Sequence, residues 1–132
     1  MEYDVTFESG CEALGGACHG RLIRLTTESA ALILRDTTSG ADTLLGDVRR
    51  LCRDCVPALS AEEQAALDCA EPSGRGVAPE EVEVLCRLHI PHDRPQDAGF
   101  DLGRLVLVNT ANGKGLEAMR PDAGLVPLTL HD

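Results

Sequence analysis

Glu81-Val82-Glu83-Val84-Leu85-Cys86-Arg87-Leu88-His89-Ile90 alternates apolar and polar side chains along most of its length. Val82, Val84, Cys86, Leu88 and Ile90 fall on one face, and Glu81, Glu83, Arg87 and His89 fall on the other. A period of two is that of a half-buried β-strand. Pro91 ends the strand, and the polar run from His92 to Gly99 carries the chain over the surface. Leu105-Val106-Leu107-Val108 is apolar on both faces and too short for a helix, as expected of a buried strand. Asn112-Gly113 lies between it and Leu116–Met119, which predicts a hairpin with a two-residue turn.

The same pattern recurs towards the N-terminus. Tyr3, Val5 and Phe7 alternate with Asp4, Thr6 and Glu8. Strands are predicted over Arg21–Thr26, Ala30–Arg35 and Ala41–Val48, with turns at Thr27-Glu28-Ser29 and Thr37-Thr38-Ser39-Gly40. Val126, Leu128 and Leu130 suit a last strand, at an edge or carrying a bulge because Pro127 cannot donate to a ladder. One helix is predicted. Ser60-Ala61-Glu62-Glu63 fits a capping box, Ala65, Ala66 and Leu67 continue it, and Pro72 limits it to about three turns. The reading is a mainly β, antiparallel barrel-like or sandwich fold, a single domain over residues 1–132 with one short helix near residues 60–70.

Composition narrows the function. With only Tyr3, Phe7 and Phe100 as aromatics, the core must be built from Leu, Val, Ile and Ala. The formal charge of −10 and the lack of a basic stripe argue against direct nucleic-acid binding and favour basic protein partners. No apolar run approaches the ~20 residues of a membrane span. The acidic start Met1-Glu2-Tyr3-Asp4 does not resemble an export signal, so a cytoplasmic protein with six mostly reduced cysteines is expected. The glycine-rich Gly15–Gly20 loop lacks the Gly-Lys-Ser/Thr of a phosphate cradle.

Cys52-Arg53-Asp54-Cys55 with Cys86-Arg87-Leu88-His89 is the one constellation that suggests metal chemistry, as a Cys3His zinc site. Cys86 and His89 lie three apart on a strand and point to opposite faces, which opposes joint chelation. Cys11, Cys18 and His19 are equally loose alternative ligands. Cys52 and Cys55 also have redox-pair spacing, without the βαβ unit that usually carries one. Free cysteines are commonly small core residues, the simpler reading for Cys86. No nucleophile, base and orienter are singled out, so no enzyme activity and no cofactor are expected. The Glu62-Glu63 and Glu80-Glu81 pairs are read as a helix start and a strand entrance.

Three segments, taken together, resemble the FliW family of flagellar assembly factors. Val5-Thr6-Phe7-Glu8-Ser9-Gly10-Cys11-Glu12-Ala13-Leu14 is similar to the family's N-terminal strand and Phe-x-x-Gly-Leu-Pro-Gly-Phe run, keeping Phe7 and Gly10. Val56-Pro57-Ala58-Leu59-Ser60-Ala61-Glu62-Glu63 resembles the Pro-x-Leu-Ser-x-Glu-Asp/Glu helix start. Near the C-terminus Leu102, Asn109, Lys114 and Gly115 match, while Asp101, Arg104-Leu105 and Glu117 replace the family's Asn, Ala-Pro and Gln. The chain is thereby identified as a divergent member.

The resemblance implies a compact β-barrel-like fold and a non-enzymatic, chaperone-like role in the cytoplasm. It implies two protein partners, flagellin and the RNA-binding translational regulator CsrA, exchanged so that flagellin synthesis follows export. A monomer without nucleic-acid or membrane contacts is expected. Candidate partner contacts are Glu81 and Glu83, as an exposed acidic face, and Asp101, Leu102, Arg104, Asn109 and Glu117. For Asn109 at a strand end, and for Gly115 at a turn, a role in the fold is the simpler reading. A cysteine-rich zinc or redox protein using Cys52, Cys55, Cys86 and His89 is the alternative.

Overall fold

The computed structural model describes residues 1–26, 28–52, 55, 59–68, 81–89, 92–93 and 98–127. In chain order the strands are β1 (Glu2–Phe7), β2 (His19–Ile23), β3 (Ala31–Asp36), β4 (Asp42–Asp47), β5 (Val82–His89), β6 (Gly99–Asn109), β7 (Lys114–Met119) and β8 (Leu125–Pro127). A 3-10 turn covers Glu12–Leu14, and the helices are α1 (Val48–Leu51) and α2 (Ala61–Leu67).

Strands β1 to β5 form an antiparallel ladder in the order β5-β4-β3-β2-β1, continued through β7 to β6. Pairing of β5 with β6 closes those seven strands into a barrel. The eighth strand, β8, lies outside the closure, on the start of β6. The expected barrel is therefore present, with one parallel seam: Thr6 and Phe7 of β1 pair with Lys114 and Gly115 of β7. Gly115 is on that seam and not in a turn. A Cβ there would sit 2.5 Å from Phe7 Cε1 and 2.6 Å from Val5 Cγ1.

Apolar side chains form two clusters separated by the wall of the barrel. Val5, Phe7, Leu22, Leu32, Leu34, Leu45, Leu85, Val106 and Val108 fill the interior, with Cys11, Ala13 and Leu14 of the 3-10 segment. Val82, Val84, Cys86, Leu105 and Leu107 point outwards from β5 and β6 and are covered by Val48, Leu59 and Leu67. Both faces are thus buried at residues 84–86 of β5 and 105–109 of β6. That accounts for the run Leu105–Val108, whose four residues alternate between the two clusters.

Local structure differs from expectation where side chains redirect the backbone. The strand predicted over Arg21–Thr26 ends at Ile23. The strand predicted over Ala41–Val48 ends at Asp47, whose carboxylate accepts from the Arg49 amide at 3.0 Å and starts the one-turn α1, a second helix. The Ser60–Glu63 capping box is present. However, α2 stops after Leu67, because Asp68 takes the left-handed conformation at φ 52° and its amide folds back onto Ala65 and Gln64. Pro72 lies outside the described residues.

The β6–β7 connection has four residues, since Asn109 pairs with Lys114. Gly113 supplies the positive φ, 77°, and its amide donates to the Asn109 carbonyl at 2.8 Å. Asn109 Oδ1 accepts from the Ala111 amide and Asn112 Oδ1 from the Lys114 amide, and these local bonds replace the two-residue turn. Of the last strand, Leu128 and Leu130 lie outside the described residues. Its described part is at an edge, as Pro127 requires.

Candidate functional site

Closure of the barrel leaves two ends, and each gathers charge. At one end Arg24 Nη2 donates to Asp47 Oδ2 and to Glu83 Oε2, both at 2.9 Å, while Nη1 donates to the Ser29 carbonyl at 2.6 Å. The Arg24 and Asp47 side chains are each only 5% exposed. Glu83 is paired with Val108, an inward residue, so it faces the barrel end and not solvent. Burial pushes its carboxyl above the ordinary range, against the pull of Arg24. The exposed acidic face expected of Glu81 and Glu83 is therefore corrected. Glu83 is a half-buried partner of buried Arg24. Glu81 is half-buried, and its carbonyl accepts from the Thr110 amide and hydroxyl at 2.8 and 2.7 Å.

The other end is shaped by a bulge. Cys86 pairs with Leu105 and the next residue, Arg87, pairs with Asp101, so Leu102, Gly103 and Arg104 have no counterpart on β5. Asp101 Oδ1 accepts from the Gly103 amide at 2.8 Å and holds the bulge in shape. The Leu102 amide donates to the Gly124 carbonyl at 3.1 Å, and the Gly103 carbonyl accepts from the Arg120 amide at 2.7 Å. Arg104 forms an ion pair with Glu12 of the 3-10 turn. Glu117 accepts from the buried Cys11 thiol at 3.9 Å, a long contact even for sulfur. Burial raises the pKa of that thiol, and the nearby Glu117 charge adds to the rise.

Four candidate contacts, Asp101, Leu102, Arg104 and Glu117, thus come together around one end of the barrel. Asn109 does not. It is 2% exposed, and its amide donates to the Leu67 carbonyl at 2.9 Å. Two exposed apolar residues that sequence reasoning missed flank the bulge. Met119 pairs with Arg104 and Leu125 with Asp101, and they are 56% and 54% exposed. Neither carries a signal in the sequence, since both alternate like ordinary strand residues. Beside the bulge is a largely apolar groove of about 300 Å³ lined by Cys55, Leu102, Arg120, Pro121, Asp122 and Ala123.

Arg120 also anchors α2 to the barrel. Its two terminal nitrogens donate to the two Glu63 carboxylate oxygens at 2.7 and 2.5 Å. Burial alone would raise the Glu63 pKa. The Arg120 guanidinium and the Ser60 amide outweigh it and hold the carboxyl below its usual value.

The four proposed zinc ligands do not assemble. Cys52 and Cys55 are bonded to each other as a disulfide, Cys86 is fully buried with its thiol against the Gly46 carbonyl at 3.7 Å, and His89 is exposed. Burial pushes the Cys86 thiol up to about 12, which opposes thiolate ligation. Cys11, Cys18 and His19 fare no better as ligands. Among the described residues no three His, Cys, Asp or Glu side chains are placed to hold a metal ion. Cys11, Cys18 and Cys86 are free thiols, whereas the expectation of mostly reduced cysteines did not include the Cys52–Cys55 bond. Among the described residues no helix is long and apolar enough to cross a membrane.

No family model matches the sequence, and no curated protein matches it significantly. Among solved structures, the crystal structure of the flagellar assembly factor FliW superposes with a TM-score of 0.77. The match covers 97% of this chain and 86% of that one at 16% identity. The barrel described above is a FliW-like fold.

Proposed function

We propose that this FliW-like chain is a non-enzymatic flagellar assembly factor, working in the cytoplasm, that binds flagellin and antagonises the translational regulator CsrA by partner exchange. The observation that carries the reading is the fold match over 97% of the chain to the flagellar assembly factor FliW. Two features support it. The net charge of −10 favours a basic protein partner and disfavours RNA itself. The bulged barrel end, with Asp101, Leu102 and Arg104 set between exposed Met119 and Leu125, combines exposed apolar side chains with charged ones, a mixture that protein partners can use.

Titration calorimetry of the purified chain against monomeric flagellin, and separately against CsrA, tests the reading. Saturable heat with each partner, and release of CsrA on adding flagellin, are expected. Absence of heat and of co-elution with both partners would overturn it.

A further inference from the structure

We propose that Cys52 and Cys55 form a reversible thiol–disulfide exchange site whose co-substrate is a small external thiol such as glutathione. The two sulfurs are bonded, and both residues are half-buried at the rim of the outer apolar cluster, so the bond is within reach of solvent. Cys55 lines the 300 Å³ groove beside Leu102 and Ala123, which gives an incoming thiol an approach to its Sγ.

The bond adds little as a structural staple. It spans three positions, and a loop that short restrains the unfolded chain less than a long one. The local backbone is held independently of it, with the Cys52 amide donating to the Val48 carbonyl at 2.8 Å and the Cys55 amide to the Cys52 carbonyl at 3.0 Å. Cys86, in the same apolar cluster, is sealed from solvent and hydrogen-bonded to Gly46, so it does not compete in exchange.

The chemistry balances with external thiols alone. A thiolate attacks Sγ of Cys55, the Cys52–Cys55 bond breaks, and Cys52 leaves as a thiolate that takes a proton. A second external thiolate attacks the external sulfur of the mixed disulfide and releases Cys55. Two external thiols have then become one disulfide, and two electrons and two protons have passed to the protein. The reverse sequence restores the bond, with a small-molecule disulfide as oxidant. The two cysteines lie on one chain, so the reduced fraction depends on the square of the thiol concentration divided by that of the disulfide.

The test uses the full chain equilibrated in glutathione buffers of graded ratio, acid-quenched, alkylated and analysed by peptide mass. The expected result is one transition in which Cys52 and Cys55 gain label together, following that squared ratio, while the protein stays folded by circular dichroism. In Cys52→Ser, Cys55 should carry glutathione at several times the occupancy of Cys52 in Cys55→Ser. A pair that keeps one state across the series in the folded protein, while urea-unfolded chain responds, would overturn the proposal. Equal or absent glutathione occupancy in the two folded single variants would overturn attack from the groove. Neither readout requires a protein partner, so the outcome is separate from that of the binding experiment above.

Discussion

The side-chain amide of Asn109 donates to the main-chain carbonyl of Leu67 at 2.9 Å, and that of Asn112 donates to the same carbonyl at 3.0 Å. Two residues at the end of the β6–β7 hairpin therefore cap the last turn of α2, where helix carbonyls lack partners. Asn109 also accepts from the Ala111 amide, so one buried side chain joins helix, strand and turn.

Asn109→Ala should cost about 1–3 kcal/mol, because a buried carbonyl and a turn amide each lose a partner. Urea unfolding followed by circular dichroism measures it. Under conditions where the variant is folded, affinity for flagellin or CsrA should be unchanged. A tenfold loss of affinity with unaltered stability would show that Asn109 acts as a contact.

Glu63→Gln breaks the two-bond pair to Arg120 in a setting where the side chains are 11% and 25% exposed, and a loss of about 2 kcal/mol at neutral pH is expected. The pH dependence has a definite sign. Glu63 has a folded-state pKa below its unfolded value, so its contribution is complete above the unfolded value. It is lost as pH falls through the folded one. Melting curves between neutral and strongly acidic pH should converge for the wild type and the variant on the acid side. Parallel curves would mean that ionisation of Glu63 is not linked to folding.

Gly115→Ala places a methyl group within 2.6 Å of both Phe7 and Val5 at the parallel seam. Both neighbours are core side chains that are at most 2% exposed, so relief requires a shift of β1 against β7. A cost of about 1–3 kcal/mol follows. The denaturation midpoint checks it, and an unchanged midpoint would mean that the seam is slack.

Met119→Glu combined with Leu125→Glu alters the exposed flanks of the bulge and removes no core packing. Stability should change by less than about 0.5 kcal/mol. Affinity for a protein partner docked on this end should fall at least about tenfold, or about 1.4 kcal/mol. Unchanged affinity would move the partner surface elsewhere. Reversing the charge of Glu83 is a poor probe of that surface, since it would set a cation against buried Arg24.

Much of the fold was legible because backbone geometry imposes it locally. The alternation at Tyr3, Val5 and Phe7, and at Val82, Val84 and Cys86, identified strands, and Ser60 with Glu63 identified a helix start. The misreadings share a cause. Alternation sorts residues onto two faces without saying what covers each. Alternation alone puts Glu83 on the solvent side, yet on a closed barrel its face is the interior, where Arg24 arrives from 59 positions away. The bulge was illegible for the same reason: the run from Gly99 to Asn109 is continuous strand, and only pairing with β5 shows that Leu102, Gly103 and Arg104 have no counterpart.

A β-rich chain, its principal strands, the capped start of α2 and a net negative charge all follow from side-chain period, local hydrogen bonding and composition. Three-dimensional packing is what closes the sheet through a parallel seam at Gly115, sets buried Asn109 against the Leu67 carbonyl as a cap, and places the Cys52–Cys55 bond beside a groove. Each of these depends on where distant segments meet. No local pattern encodes that, since closure and packing are properties of the whole chain's shape.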